Sequence, residues 1–128
     1  AAAARVGREN VYFLLFAENR PILDLLGLVP AENVIAVRTG GGLAGTVAGA
    51  VRALRAVRRA GIDAVVDLEF FARSTAALGY LTGARWRAGF HPGGGAGRYR
   101  GDLLTHRVSF NPYLHTAQAF ALLVEALD

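Results

Sequence analysis

The stretch that follows one apolar run has residue types and spacing suited to anion chemistry. The run 62–68 (IDAVVDL) carries Asp67 near its end, and Glu69, Arg73 and Ser74 follow within seven residues of it. Residues two apart on an extended strand share a face, so the Asp67 and Glu69 carboxylates converge on one ligand if the strand runs that far. Asp67 also has a structural role open to it, capping the helix expected from about Phe71 or pairing with Arg73. Arg73 and Ser74 open that helix with a guanidinium and a hydroxyl, which suit phosphate or carboxylate oxygens. A second group lies in and around the loop 91–102 (HPGGGAGRYRGD): His91, Arg98, Arg100, and just beyond it His106 and Arg107. A glycine-rich loop bearing arginine and histidine fits a phosphorylated or carboxylated ligand.

Another chemistry competes for part of this stretch. Gly40, Gly42 and Gly45 in GGGLAG satisfy G-x-G-x-x-G between a predicted strand and a helix, with Asp67 about twenty residues on where a ribose-binding acid would stand. That reading makes the chain an NAD(P)-binding domain of an oxidoreductase, and the alternative makes GGGLAG a tight turn. The three histidines match no metal-ligand spacing and no cysteine assists them, so no metal site is expected. His115 stands before a predicted helix, as a capping or packing residue does. Ser74 lacks a nucleophile-elbow sequence around it, which argues against a serine hydrolase.

These groups need a scaffold, and the composition provides for one. At 128 residues, 53% apolar and 19% charged, the chain is long enough for a real core and is read as a single globular domain. No apolar run approaches membrane-spanning length, and no signal-peptide pattern opens the chain. A soluble cytoplasmic domain is the expectation, with peripheral attachment to the membrane's inner face left open. Every cationic side chain except histidine is arginine, and the net charge is +4. That balance favours anionic partners, but no arginine run is long enough to argue for nucleic acid. The start on Ala1–Ala4 without Met and the stop on Leu127-Asp128 suggest a piece of a longer protein.

Strands are expected at 11–17, 33–38, 62–68, 85–90 and 105–110. Helices are expected from Asn19-Arg20-Pro21 to Pro30, from about Leu43 to Ala60, from about Phe71 to Leu81, and from Asn111-Pro112 onward. In the longest helix Leu43, Val47, Ala50, Val51, Leu54 and Val57 form one apolar stripe, with Arg52, Arg55 and Arg59 opposite. Alternation of strand and helix with such crossovers gives an α/β fold. Its form is a Rossmann-like parallel sheet with helices on both faces.

The segments IDAVVDLE (62–69), Arg73-Ser74, LTGA (81–84), RAGF (87–90), LTHRV (104–108) and NPYLH (111–115) resemble the N-terminal half of family 9 glycosyltransferases. That family includes the ADP-heptose:lipopolysaccharide heptosyltransferases. The resemblance covers the chain from about Val11 and rests on pattern and order. It implies one half of a GT-B enzyme, the half that mainly holds the acceptor, with the nucleotide-sugar donor bound mainly by the other half. It also implies that the first strand and glycine-rich turn, which carry the family's catalytic aspartate, lie outside this chain. No catalytic base is therefore assigned, no cofactor is implied, and this chain alone is expected to be inactive. For an anionic glycan or glycolipid acceptor the resemblance implies Arg73 and Ser74, and Arg98 or Arg100 in the following loop. With the candidates read from the residues themselves, the acceptor-binding set is Glu69, Arg73, Ser74, His91, Arg98, Arg100 and His106. The sequence departs from the family pattern in its glycine-swollen loops at Gly40 and Gly93, and in Glu69 where many members have a neutral amide.

Overall fold

The computed structural model describes residues 1–38, 40–70, 72–92 and 102–127. They form α1 (Ala2–Val6), β1 (Phe13–Phe16), α2 (Arg20–Leu26), β2 (Val34–Val37), α3 (Gly42–Arg59), β3 (Ala64–Asp67), α4 (Arg73–Leu81), β4 (Trp86–His91), β5 (His106–Ser109) and α5 (Thr116–Glu125). Every pairing among the described strands is parallel, with α2 in the crossover from β1 to β2 and α4 in that from β3 to β4. The fold is α/β. The strands expected in one sheet pair in two, in the orders β1-β2 and β3-β4-β5. The chain divides correspondingly into two compact units, Ala1–Ala60 and Gly61–Asp128.

In the first unit Phe13 pairs with Val34 and Phe16 with Val37. Asn33 is buried, and its Nδ2 donates to the carbonyls of Glu9 at 2.8 Å and Val11 at 3.1 Å, tying the approach to β1 to the start of β2. A buried amide of this kind requires such partners. Helix α3 packs on β2 through only part of the expected stripe, with Val57 buried and Ala50 and Leu54 half-buried. Its buried residues are Gly49, Ala53 and Val57, whereas Leu43, Val47 and Val51 are exposed. Small residues allow the closer approach, and the stripe's other flank reaches past what a two-stranded sheet can cover. Arg52, Arg55 and Arg59 are solvent-exposed, as the periodicity predicts. Helix α2 ends at Leu26 on a left-handed Gly27, before Pro30, and exposes Ile22, Leu25 and Leu26.

In the second unit successive residues of each strand face opposite sides of the sheet. One side carries Val66, Phe90 and Val108 and packs on Ala119 and Leu123 of α5, with Phe70, Phe110 and Phe120 closing the cluster. The other side carries Val65, opposite Gly79 of α4, where an added Cβ would lie 3.6 Å from Val65 Cγ1. This sheet has a helix on each face. Helix α5 begins at Thr116, later than the Asn111-Pro112 expected. Asn111 Oδ1 accepts the Tyr113 amide at 3.0 Å and forms a turn instead of a cap. His115 takes the cap: its Nδ1 accepts the Ala117 amide at 3.2 Å, and the Gln118 side chain accepts the His115 amide at 3.3 Å.

Candidate functional site

Parallel pairing brings the carboxyl ends of β3, β4 and β5 to one edge of the three-stranded sheet. Asp67 pairs with Gly89, and His91 with Ser109, so Asp67, His91 and Ser109 all belong to this edge. By alternation the three share the face that α4 covers, because Val65 lies on it and Asp67 is two residues on. Glu69 lies two residues past β3, and Arg73 and Ser74 are the first residues of α4. Four candidates, Glu69, Arg73, Ser74 and His91, therefore belong to the carboxyl edge of one parallel sheet, the usual ligand edge of open α/β sheets. Arg98 and Arg100 lie outside the described residues.

His106 is at the other end. It opens β5 in register with Ala88, while His91 closes β4 in register with Ser109. Three residues of strand separate the two positions, roughly 10 Å at the usual rise. At the amino end His106 meets Trp86 edge-on at 5.6 Å, and its Nδ1 lies 2.9 Å from the Thr105 hydroxyl. Arg107 forms an ion pair with Asp102. The sequence grouped these residues with His91 because they flank one loop. A parallel connection must return from the carboxyl end of β4 to the amino end of β5, which separates them.

Asp67 holds the edge together. It is buried, at 8% exposure, and its Oδ2 accepts the Thr75 hydroxyl at 2.9 Å while its Oδ1 accepts the Glu69 amide at 3.0 Å. This agrees with the structural reading of Asp67: it is tied to α4 through the Thr75 side chain, and the helix N-cap, Ala72, has no side-chain cap bond. Sequence reading passed over Thr75 and Ser109. The S-T pair at 74–75 was the available signal for the first, and the β4–β5 register was needed for the second.

Arg87 has a comparable role at the amino end. Its Nε donates to the Leu103 carbonyl at 2.7 Å, its guanidinium also reaches the Ala84 carbonyl, and it lies over the Tyr80 ring at 5.4 Å. Its backbone N–H donates to the Thr105 hydroxyl at 2.7 Å. The segment returning from the glycine-rich loop is thereby fixed to β4.

The GGGLAG segment forms a tight turn into α3. Gly41 and Gly42 have φ of 76° and 70°, the left-handed region that glycine tolerates. A Cβ on Gly45 would fall 1.8 Å from the Gly40 carbonyl oxygen. Gly45→Ala is therefore expected to force the turn open, at a cost of about 1–3 kcal/mol by the usual scale of overpacking. Urea denaturation followed by circular dichroism measures this; an unchanged midpoint would show that Gly40 and Gly45 do not make this approach.

Among the described residues no cluster of histidine, aspartate and glutamate is arranged to hold a metal ion. None of the described helices is long and apolar enough to cross a membrane. Compared with known proteins, the chain matches no family model, no curated protein and no solved structure.

Proposed function

We propose that this chain is the acceptor-side half of a GT-B glycosyltransferase of the family 9 type, acting on a cell-envelope glycan or glycolipid. The observation that supports this most is the grouping of Glu69, Arg73, Ser74 and His91 at the carboxyl edge of β3-β4-β5. A guanidinium, a hydroxyl and an imidazole there suit an acceptor with phosphate or carboxylate groups. The strand orders agree with the reading. Removing the first strand from the doubly wound order 3-2-1-4-5-6 leaves 3-2 and 4-5-6, which are the orders β2-β1 and β3-β4-β5. On this proposal that strand and its turn, with the catalytic aspartate, belong to the longer protein, as does the half that binds the nucleotide-sugar.

In the reaction proposed, an acceptor hydroxyl oxygen attacks the anomeric carbon of the donor sugar as the bond to the nucleoside diphosphate breaks. A base on the longer protein takes the hydroxyl proton. The residues of this chain bind and orient the acceptor, work that contributes to rate by holding reacting atoms in place. The proposed location is the cytoplasm.

The NAD(P) reading of Gly40, Gly42, Gly45 and Asp67 has less support. Both Asp67 oxygens are already engaged and the side chain is buried, whereas a ribose-binding acid needs a carboxylate open to the ligand.

Ligand-observed NMR tests the choice, with a phosphorylated lipopolysaccharide-core oligosaccharide and NADH titrated separately. The expected result is saccharide binding that weakens about tenfold or more in Arg73→Ala, the scale of one charge-assisted contact, with no NADH signal. NADH binding without saccharide binding would replace this proposal with the oxidoreductase one.

A further inference from the structure

We infer that the groove between β2 and α3 binds a soluble phosphate monoester carrying a compact apolar group. The groove has a volume of about 540 Å³, within the usual range for small-molecule sites. Its apolar wall is made by Ile35 and Ala36 of β2 and by Ala53 and Ala56 of α3. Alanines where larger side chains would fill the space leave the groove open. Gly49 sets how closely helix and strand approach: a Cβ there would lie 3.1 Å from the Arg38 carbonyl oxygen and 3.4 Å from Val37 Cγ1.

Two arginines line the same groove, Arg38 just past β2 and Arg52 on α3. Neither guanidinium has a hydrogen bond or ion pair to any described residue. No carboxylate lies in the sequence between Glu32 and Asp63, so none on β2 or α3 competes for them. The charge of the chain is uneven in the same sense. Eight arginines and four carboxylates precede residue 61, while six of each follow, so the formal excess of +4 belongs to the first unit. A cleft lined by one sign of charge raises the local concentration of the opposite ion.

The pair of arginines narrows the ligand class. One guanidinium satisfies a carboxylate through two parallel bonds. Two guanidiniums offer ten N–H donors and two charges, which match the three oxygens and near-double charge of a phosphate monoester. The alanine and isoleucine wall takes the ester's apolar group.

Amide-detected NMR titration of the 128-residue chain with phenyl phosphate tests this. The expected result is perturbation of the Gly49, Ala53 and Ala56 amides, with affinity reduced about tenfold or more in both Arg38→Gln and Arg52→Gln. Inorganic phosphate should bind more weakly and phenol not detectably. The inference is overturned if phenyl phosphate leaves these amides unmoved, or if both variants bind like the parent. It is also overturned if inorganic phosphate binds as well as the ester, or if only phosphatidic acid vesicles bind. The residues involved are separate from Glu69, Arg73, Ser74 and His91, so neither outcome bears on the saccharide proposal.

Discussion

Phe90→Ala is expected to destabilise the second unit by about 3–5 kcal/mol, the usual range for deleting a buried aromatic ring. Phe90 is 1% exposed, and its ring stacks on Phe70 at 5.4 Å and meets Phe110 edge-on at 5.5 Å. It also packs against Leu123, which is fully buried, and Ala119 of α5. Removing the ring therefore leaves a cavity between sheet and helix as well as losing its transfer free energy. The neighbours cannot easily collapse into it, because Phe70 and Phe110 also contact each other, at 5.0 Å. Trp86, the only tryptophan, stands four residues earlier on the same strand, so its fluorescence reports on this unit during urea denaturation. A loss below about 1 kcal/mol would show that the cluster repacks, and that Phe90 is not the centre of this core. Phe90→Leu keeps most of the volume and should cost markedly less.

Local structure was legible in the sequence because local rules set it. All five strands and the four expected helices appear, displaced by a few residues at their ends, since period and turn chemistry depend on near neighbours. What α3 buries was legible only in part, at Val57. Periodicity places Leu43, Val47, Val51 and Val57 on one line, but which flank meets the sheet depends on close-packing glycine and alanine and on how many strands lie beneath. The division into two sheets was hidden for a related reason: a strand's pattern shows that it pairs, not with which partner. The candidate site was half legible. Glu69, Arg73, Ser74 and His91 follow from the rule that loops at the carboxyl ends of parallel strands gather. His106 was drawn in by nearness in sequence, which a parallel crossover undoes. Asp67 was the clearest case of a residue that chemistry made attractive and packing then claimed.

That claim can be measured. Asp67→Ala is expected to cost about 1–3 kcal/mol, the scale of hydrogen bonds to a charged group, since both donors are only part-buried and the Thr75 hydroxyl keeps the Ala72 carbonyl at 3.1 Å. The donors are the Thr75 hydroxyl and the Glu69 amide, which connect the end of β3 to α4 and to the segment carrying Glu69 and Arg73. Asp67→Asn keeps one acceptor but turns an amide donor toward the other partner, so it should recover only part of the loss. Thr75→Val removes one donor outright. Once that donor is gone, removing the carboxylate costs less, so Asp67→Ala with Thr75→Val should cost less than the sum of the single changes. A coupling of about 0.5 kcal/mol or more is the expected sign of direct contact. Strict additivity would mean that the Asp67–Thr75 bond does not contribute, and that the edge is held by other means. The functional consequence separates two roles for Asp67. If it positions the segment, Asp67→Ala weakens saccharide binding in step with Arg73→Ala while adding no affinity for NADH. If it binds ribose, saccharide binding is untouched and NADH binding is what disappears. The two engaged carboxylate oxygens favour the first result, because an acid already satisfied by its own chain has little left to offer a ligand.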